Sequence, residues 1–73
     1  MILSYCDIFD EKRRRRRIKA TIGSDHPASS YGQAVIVLED GGSLDLFSWT
    51  ALNYRVVRAN EKEIATLEKM GLI

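Results

Sequence analysis

The sequence predicts an α+β fold: a small mixed or antiparallel sheet in the order β-β-β-α-β-α, with the helices packed on one face. Three observations predict it. Ile18, Ala20 and Ile22 alternate with Arg17, Lys19 and Thr21, the period-two pattern of a half-buried strand. Ala34 to Leu38 is an unbroken apolar run dominated by β-branched residues. Residues 60–71 read as a capped helix with an apolar stripe.

The elements follow in order. Residues 2–9 hold enough aliphatic and aromatic side chains for a short strand, and Asp10, Glu11 and Lys12 supply polar turn material. The alternating strand covers residues 13–22 and forms a hairpin with the first. Residues 23–32 are bracketed by glycines and filled with turn formers, so they read as the longest loop, with a single helical turn after Pro27. Residues 33–39 should be the central strand, covered on both sides because no polar face is visible. Asp40, Gly41 and Gly42 end it with residues that tolerate positive φ.

From Asp45 the pattern changes. Leu46, Phe47, Trp49 and Leu52 are spaced as neighbours on one side of a short helix, with Asn53 closing its end in the left-handed conformation. A strand over residues 45–52 is the competing reading. Residues 54–58 form a brief strand. In the last helix Asn60 caps and Glu63 completes a capping-box pattern, Ile64, Leu67 and Met70 make the stripe, and Gly71 stops it.

At 73 residues, 45% hydrophobic and 29% charged, residues 1–73 suit one folded domain with one core rather than a disordered chain. So small a core leaves a thin margin, which a partner or a second copy often supplements. Cys6 is the sole cysteine, so no internal disulfide can form, and a reducing cytoplasm is the expected setting. The opening apolar run lacks a leading basic region and is broken by Ser4 and Asp7, unlike an export signal. No membrane association is expected.

Charge is unevenly placed. Residues 1–20 hold seven Lys/Arg against three Asp/Glu, and residues 21–73 hold four against seven. The run from Lys12 to Lys19 is the most unusual feature: Arg13, Arg14, Arg15, Arg16, Arg17 and Lys19 have the density that attracts nucleic-acid phosphates through counterion release and bidentate guanidinium contacts. The competing reading is a charged strand neutralised within the chain. If residues 13–22 pair antiparallel with residues 33–40, Ile22 meets Gln33, and Arg15 and Arg16 fall near Asp40 and Glu39. Such a strand also discourages edge-to-edge aggregation. Arg55, Arg58, Lys62 and Lys69 look scattered, and the acidic remainder argues against a dedicated nucleic-acid surface.

The loop gathers Ser24, Asp25, His26, Ser29, Ser30 and Tyr31, residue types used in acid–base and nucleophilic chemistry. Adjacent Asp25 and His26 project apart, and no Gly-x-Ser-x-Gly elbow surrounds Ser29 or Ser30. The loop therefore suits a ligand- or partner-binding surface better than a catalytic centre. In a purely structural reading, Ser24 or Asp25 caps the turn and Tyr31 packs against the sheet edge. One His and one Cys far apart make a poor metal site, and no phosphate-cradling glycine loop is present, so neither metal nor cofactor is expected. Between Leu44 and Tyr54 much of the aromatic mass is concentrated. Most of it should be core, and an exposed Trp49 or Phe47 would mark a partner or dimer interface.

The leading expectation is a small non-catalytic binding or accessory protein, rather than an enzyme, acting through a protein-partner surface made by the polar loop and the sheet edge, with a homodimer as one form of it. The alternative is a nucleic-acid-binding protein that lays the arginine-rich strand along a phosphate backbone. The third is a small hydrolase using His26 and a loop serine.

Overall fold

In the computed structural model, which describes residues 1–24, 26, 27, 29 and 31–73, the elements run β1 (Ile2–Cys6), β2 (Arg15–Gly23), β3 (Val35–Leu38), β4 (Ser43–Leu44), α1 (Leu46–Ala51), β5 (Arg55–Arg58) and α2 (Glu61–Lys69). The expected α+β class holds, with a two-residue strand, β4, added after the glycine turn. All strand pairs are antiparallel, and the sheet order is β4-β3-β2-β1-β5.

The middle strand is β2, not β3. Its first half, Arg15 to Lys19, pairs with β1, and its second half, Ala20 to Gly23, pairs with β3. A strand rich in arginine can hold the middle because, among the described residues, one face of the sheet is left uncovered and alternation sends Arg15, Arg17 and Lys19 there, while Arg16, on the other side, is met by Asp7 and Asp10. The apolar run of β3 is not explained by two-sided covering: only Ile36 is fully buried, while Val35 and Val37 are half-buried on the uncovered side. Register differs from the expectation as well. Ile22 stands opposite Ile36 rather than Gln33, and Ala20 opposite Leu38. Matching apolar residues on the covered face decides this, since a slip of one residue would turn that face to solvent.

The core lies on the covered face. Leu3, Ala20, Ile36 and Leu44 from the strands meet Trp49 of α1, Leu67 of α2 and Tyr54. Tyr54 stacks on Trp49 at a centroid distance of 5.7 Å and on Tyr5 at 5.2 Å, tying α1 to β1. Burial raises the Tyr54 hydroxyl above its ordinary pKa, with the neighbouring Tyr5 adding to the effect.

The helical stripe of α1 is corrected. Trp49 is buried and Leu52 half-buried, but Leu46 and Phe47 point to solvent. A helix of six residues has room for one inward turn, and the neighbouring leucine of the core is Leu44, which β4 sets opposite Ile36. The α2 cap and the closing residues Asn53 and Gly71 are as the sequence implied, and the structure adds Asp45 as the cap of α1. Asp45 accepts from Ser48 N at 2.7 Å, which holds its carboxyl below the ordinary value. Asn53 and Gly71 leave the helices at φ +52° and +79°. Asn60 and Glu63 form the reciprocal capping box at 2.8 and 3.0 Å. That backbone bond, and then the Met1 ammonium at 3.2 Å, keep Glu63 below the ordinary carboxyl value.

Candidate functional site

One face of the sheet groups four cations that have no ion pair among the described residues. Register sets Arg17 of β2 opposite Ser4 of β1, which is opposite Arg55 of β5; one step along, Lys19 is opposite Ile2, which is opposite Arg58. Four cations thus flank β1 in two rows. Neighbouring strands lie about 4.8 Å apart, so the rows are separated by roughly 10 Å, and Arg17 and Lys19 stand about 7 Å apart along β2. All four are exposed, and among the described residues none has a carboxylate within ion-pair distance. A shallow hollow of about 380 Å³ is lined by Ile2, Arg17, Ile18, Lys19, Val57 and Arg58 together with Glu39, the one acid in its lining. Like charges at this spacing are tolerated because salt screens them over a comparable length, about 10 Å at 0.1 M.

In the rest of the run the side chains of Arg14, Arg15 and Arg16 are occupied within the chain, through partners other than the expected Glu39 and Asp40. Arg16 donates through Nε to Asp7 at 2.6 Å and through Nη2 to Asp10 at 3.4 Å, and Arg14 donates to Asp10 at 2.8 Å. The Arg14 bond, then the Lys12 backbone N–H, hold Asp10 below the ordinary carboxylate value; the hydrogen bond to Asp7 raises Arg16 above its own. Arg15 directs its N–H groups to neutral oxygens: the Ser4 hydroxyl at 2.9 Å, the Ser4 carbonyl at 3.1 Å and the Asn53 carbonyl at 2.7 Å. Arg13 closes the β1–β2 turn in the left-handed region at φ +50°, its N–H donating to the Asp10 carbonyl at 2.9 Å. Glu39 does meet β2, but at Lys19: its N–H donates to the Lys19 carbonyl at 3.0 Å, and its carboxylate accepts from Lys19 N at 3.4 Å.

Three acids elsewhere are committed locally. Asp45 and Glu63 serve helix caps, and Asp40 accepts from Gly42 N at 2.8 Å. The sequence reasoning missed Arg55 and Arg58 as members of this surface. Their signal was slight: two arginines bracketing Val56 and Val57 in a short strand, which gains meaning only when that strand is known to lie beside β1.

In the polar loop, Asp25 and Ser30 lie outside the described residues. Ser24 is exposed, and His26 Nε2 bonds the Gly41 carbonyl at 2.8 Å, tying the loop to the β3–β4 turn. The Ser29 hydroxyl donates to the Gln33 carbonyl. These bonds lead to different backbone carbonyls, an arrangement that shapes the loop. Tyr31 does not pack against the sheet edge as expected; it is fully exposed, at φ +56°. Among the described residues no three His, Cys, Asp or Glu side chains come together, and no helix is long and apolar enough to cross a membrane. No protein-family model, curated protein or solved structure matches this chain, so its functional reading rests on the geometry of the site.

Proposed function

We propose that this chain is a non-catalytic binding protein whose uncovered sheet face takes the phosphate backbone of a nucleic acid. One observation carries the reading: Arg17, Lys19, Arg55 and Arg58, drawn from two strands on either side of β1, share one exposed face without carboxylate partners among the described residues. The apparent scatter of Arg55 and Arg58 had weighed against such a surface, and the sheet order removes that objection. Three of the four are arginines, whose planar fork grips phosphate with two parallel hydrogen bonds.

The test is a fluorescence-anisotropy titration of labelled oligonucleotides across a salt series. Four neutralised phosphates predict a log–log slope of about −3 to −3.5, a loss of roughly 50- to 150-fold in affinity between 50 and 200 mM salt. Arg17→Gln with Arg58→Gln should flatten the slope by about 1.5. Lys62→Gln with Lys69→Gln, the same loss of charge on α2, should leave it unchanged. Equal effects of the two pairs would point to net charge alone, and absence of binding near physiological salt would end the reading.

A protein partner is the second reading, supported by Tyr31 and Phe47, which stay exposed at 108% and 80%. Sedimentation analysis of Phe47→Ser against the parent protein tests the self-associating form, which predicts a shift from dimer to monomer.

A further inference from the structure

We infer that the β1–β2 turn is a base-stacking finger, with Phe9 as its stacking residue, and that the nucleic acid taken by this protein is single-stranded; the inference rests on the basic-face reading above. Phe9 is 93% exposed and Ile8 beside it 50%. The turn holding them is tightly built. Phe9 N donates to the Asp7 carboxylate at 3.0 Å, Lys12 N to the Asp10 carboxylate at 2.9 Å and Asp7 N to the Arg14 carbonyl at 3.1 Å, while Arg14, just before β2, holds Asp10 and Arg16 of β2 holds both acids. An aromatic ring is therefore presented to solvent by an ordered scaffold.

The electrostatics of the turn suit a polyanion. Asp7 and Asp10 are neutralised by Arg14 and Arg16, whereas Lys12 and Arg13, three and four residues after the ring, have no ion pair among the described residues. Glu11 is the one acid of the turn without such a clamp. The finger stands at the end of the β1–β2 ladder that carries Arg17 and Lys19: Phe9 lies three residues beyond Cys6, whose partner is Arg15. From Lys19 to Arg15 the strand advances about 13 Å, so a backbone following β2 is led to the tip. An exposed ring gains little from duplex phosphates, whose bases are already stacked. Unpaired bases each offer a π-face, and stacking on them is insensitive to sequence.

The experiment compares the whole chain with Phe9→Ala, Phe9→Trp and the Arg17→Gln/Arg58→Gln pair, on a labelled oligothymidylate of about 12 nucleotides, its duplex with oligoadenylate, and phosphatidylserine vesicles. Circular dichroism and Trp49 emission check the fold. Phe9→Ala should weaken single-strand binding by about 5- to 100-fold with the salt slope kept and duplex binding unchanged, and Phe9→Trp should restore it. If the parent protein binds oligonucleotides with a steep slope but Phe9→Ala is silent, or weakens both forms equally, the finger is overturned and the basic face stands. If no oligonucleotide binds, both fall. Phe9-dependent binding to vesicles instead of oligonucleotides would overturn the finger in favour of a membrane-contacting tip.

Discussion

Leu44 and Leu46 are two residues apart and chemically identical, yet the fold gives them opposite environments, with 5% and 57% exposure. Leu44 is drawn into the core through β4, opposite fully buried Ile36, whereas Leu46 opens α1 from the outside. Truncating a buried leucine to alanine removes its transfer free energy and leaves a cavity, about 3 kcal/mol here. Leu46→Ala should cost less than about 1 kcal/mol, because more than half of that side chain is already in water. The whole domain holds about 4–11 kcal/mol by its size, so the first loss is a large share and the second a small one. At about 4–8 °C per kcal/mol for a domain of this length, Leu44→Ala lowers the midpoint by about 12–24 °C and Leu46→Ala by no more than about 8 °C. Urea and thermal denaturation followed by Trp49 emission measure both, since this sole tryptophan is 7% exposed and stacked on Tyr54. Equal losses, or a larger loss for Leu46→Ala, would refute the placement and restore the inward stripe that the spacing of Leu46, Phe47, Trp49 and Leu52 implies.

Asn60→Ala breaks the reciprocal cap of α2 and should cost about 1 kcal/mol, lowering the midpoint by about 4–8 °C, while Asn60→Asp should retain most of it; equal losses in the two would show that the cap contributes nothing. Asp10, Asp45 and Glu63 sit below their ordinary values of 3.8 and 4.5, so their contribution is complete above those values and fades as the pH falls through the lowered ones. Tyr54 lies above its ordinary 10.0, so its contribution is complete below 10.0 and fades as the pH rises beyond it. Thermal midpoints across pH should therefore drop at both extremes, and a midpoint that rose on acidification below 3.8 would reverse the sign of the carboxylate argument.

Local chemistry was readable from the chain wherever neighbours in sequence are neighbours in space. The alternation of Ile18, Ala20 and Ile22 made a strand, Asn60 with Glu63 made a cap, and Asn53 and Gly71 ended helices, because each device operates within four residues. The arginine run was visible for the same reason, and the idea that acids of the same chain hold part of it was right in kind. Its partners were Asp7 and Asp10 in the adjoining turn rather than Glu39 and Asp40, since β2 pairs with β1 along its arginine half.

The sequence by itself determined four of the strands, the last helix with its cap, and the excess of positive charge in the first twenty residues, while leaving residues 45–52 open between helix and strand and giving no sign of β4. Sheet order, register and the choice of covered face belonged to the tertiary structure. Only there did Arg17 and Lys19 come together with Arg55 and Arg58, did Leu44 rather than Leu46 enter the core, and did β2 become the middle strand. The physical reason is range: periodicity and capping follow from the backbone's own repeat, whereas pairing partners are selected by apolar matches such as Ala20 with Leu38 and Leu3 with Ile18, between residues too far apart in the chain for any local pattern to name.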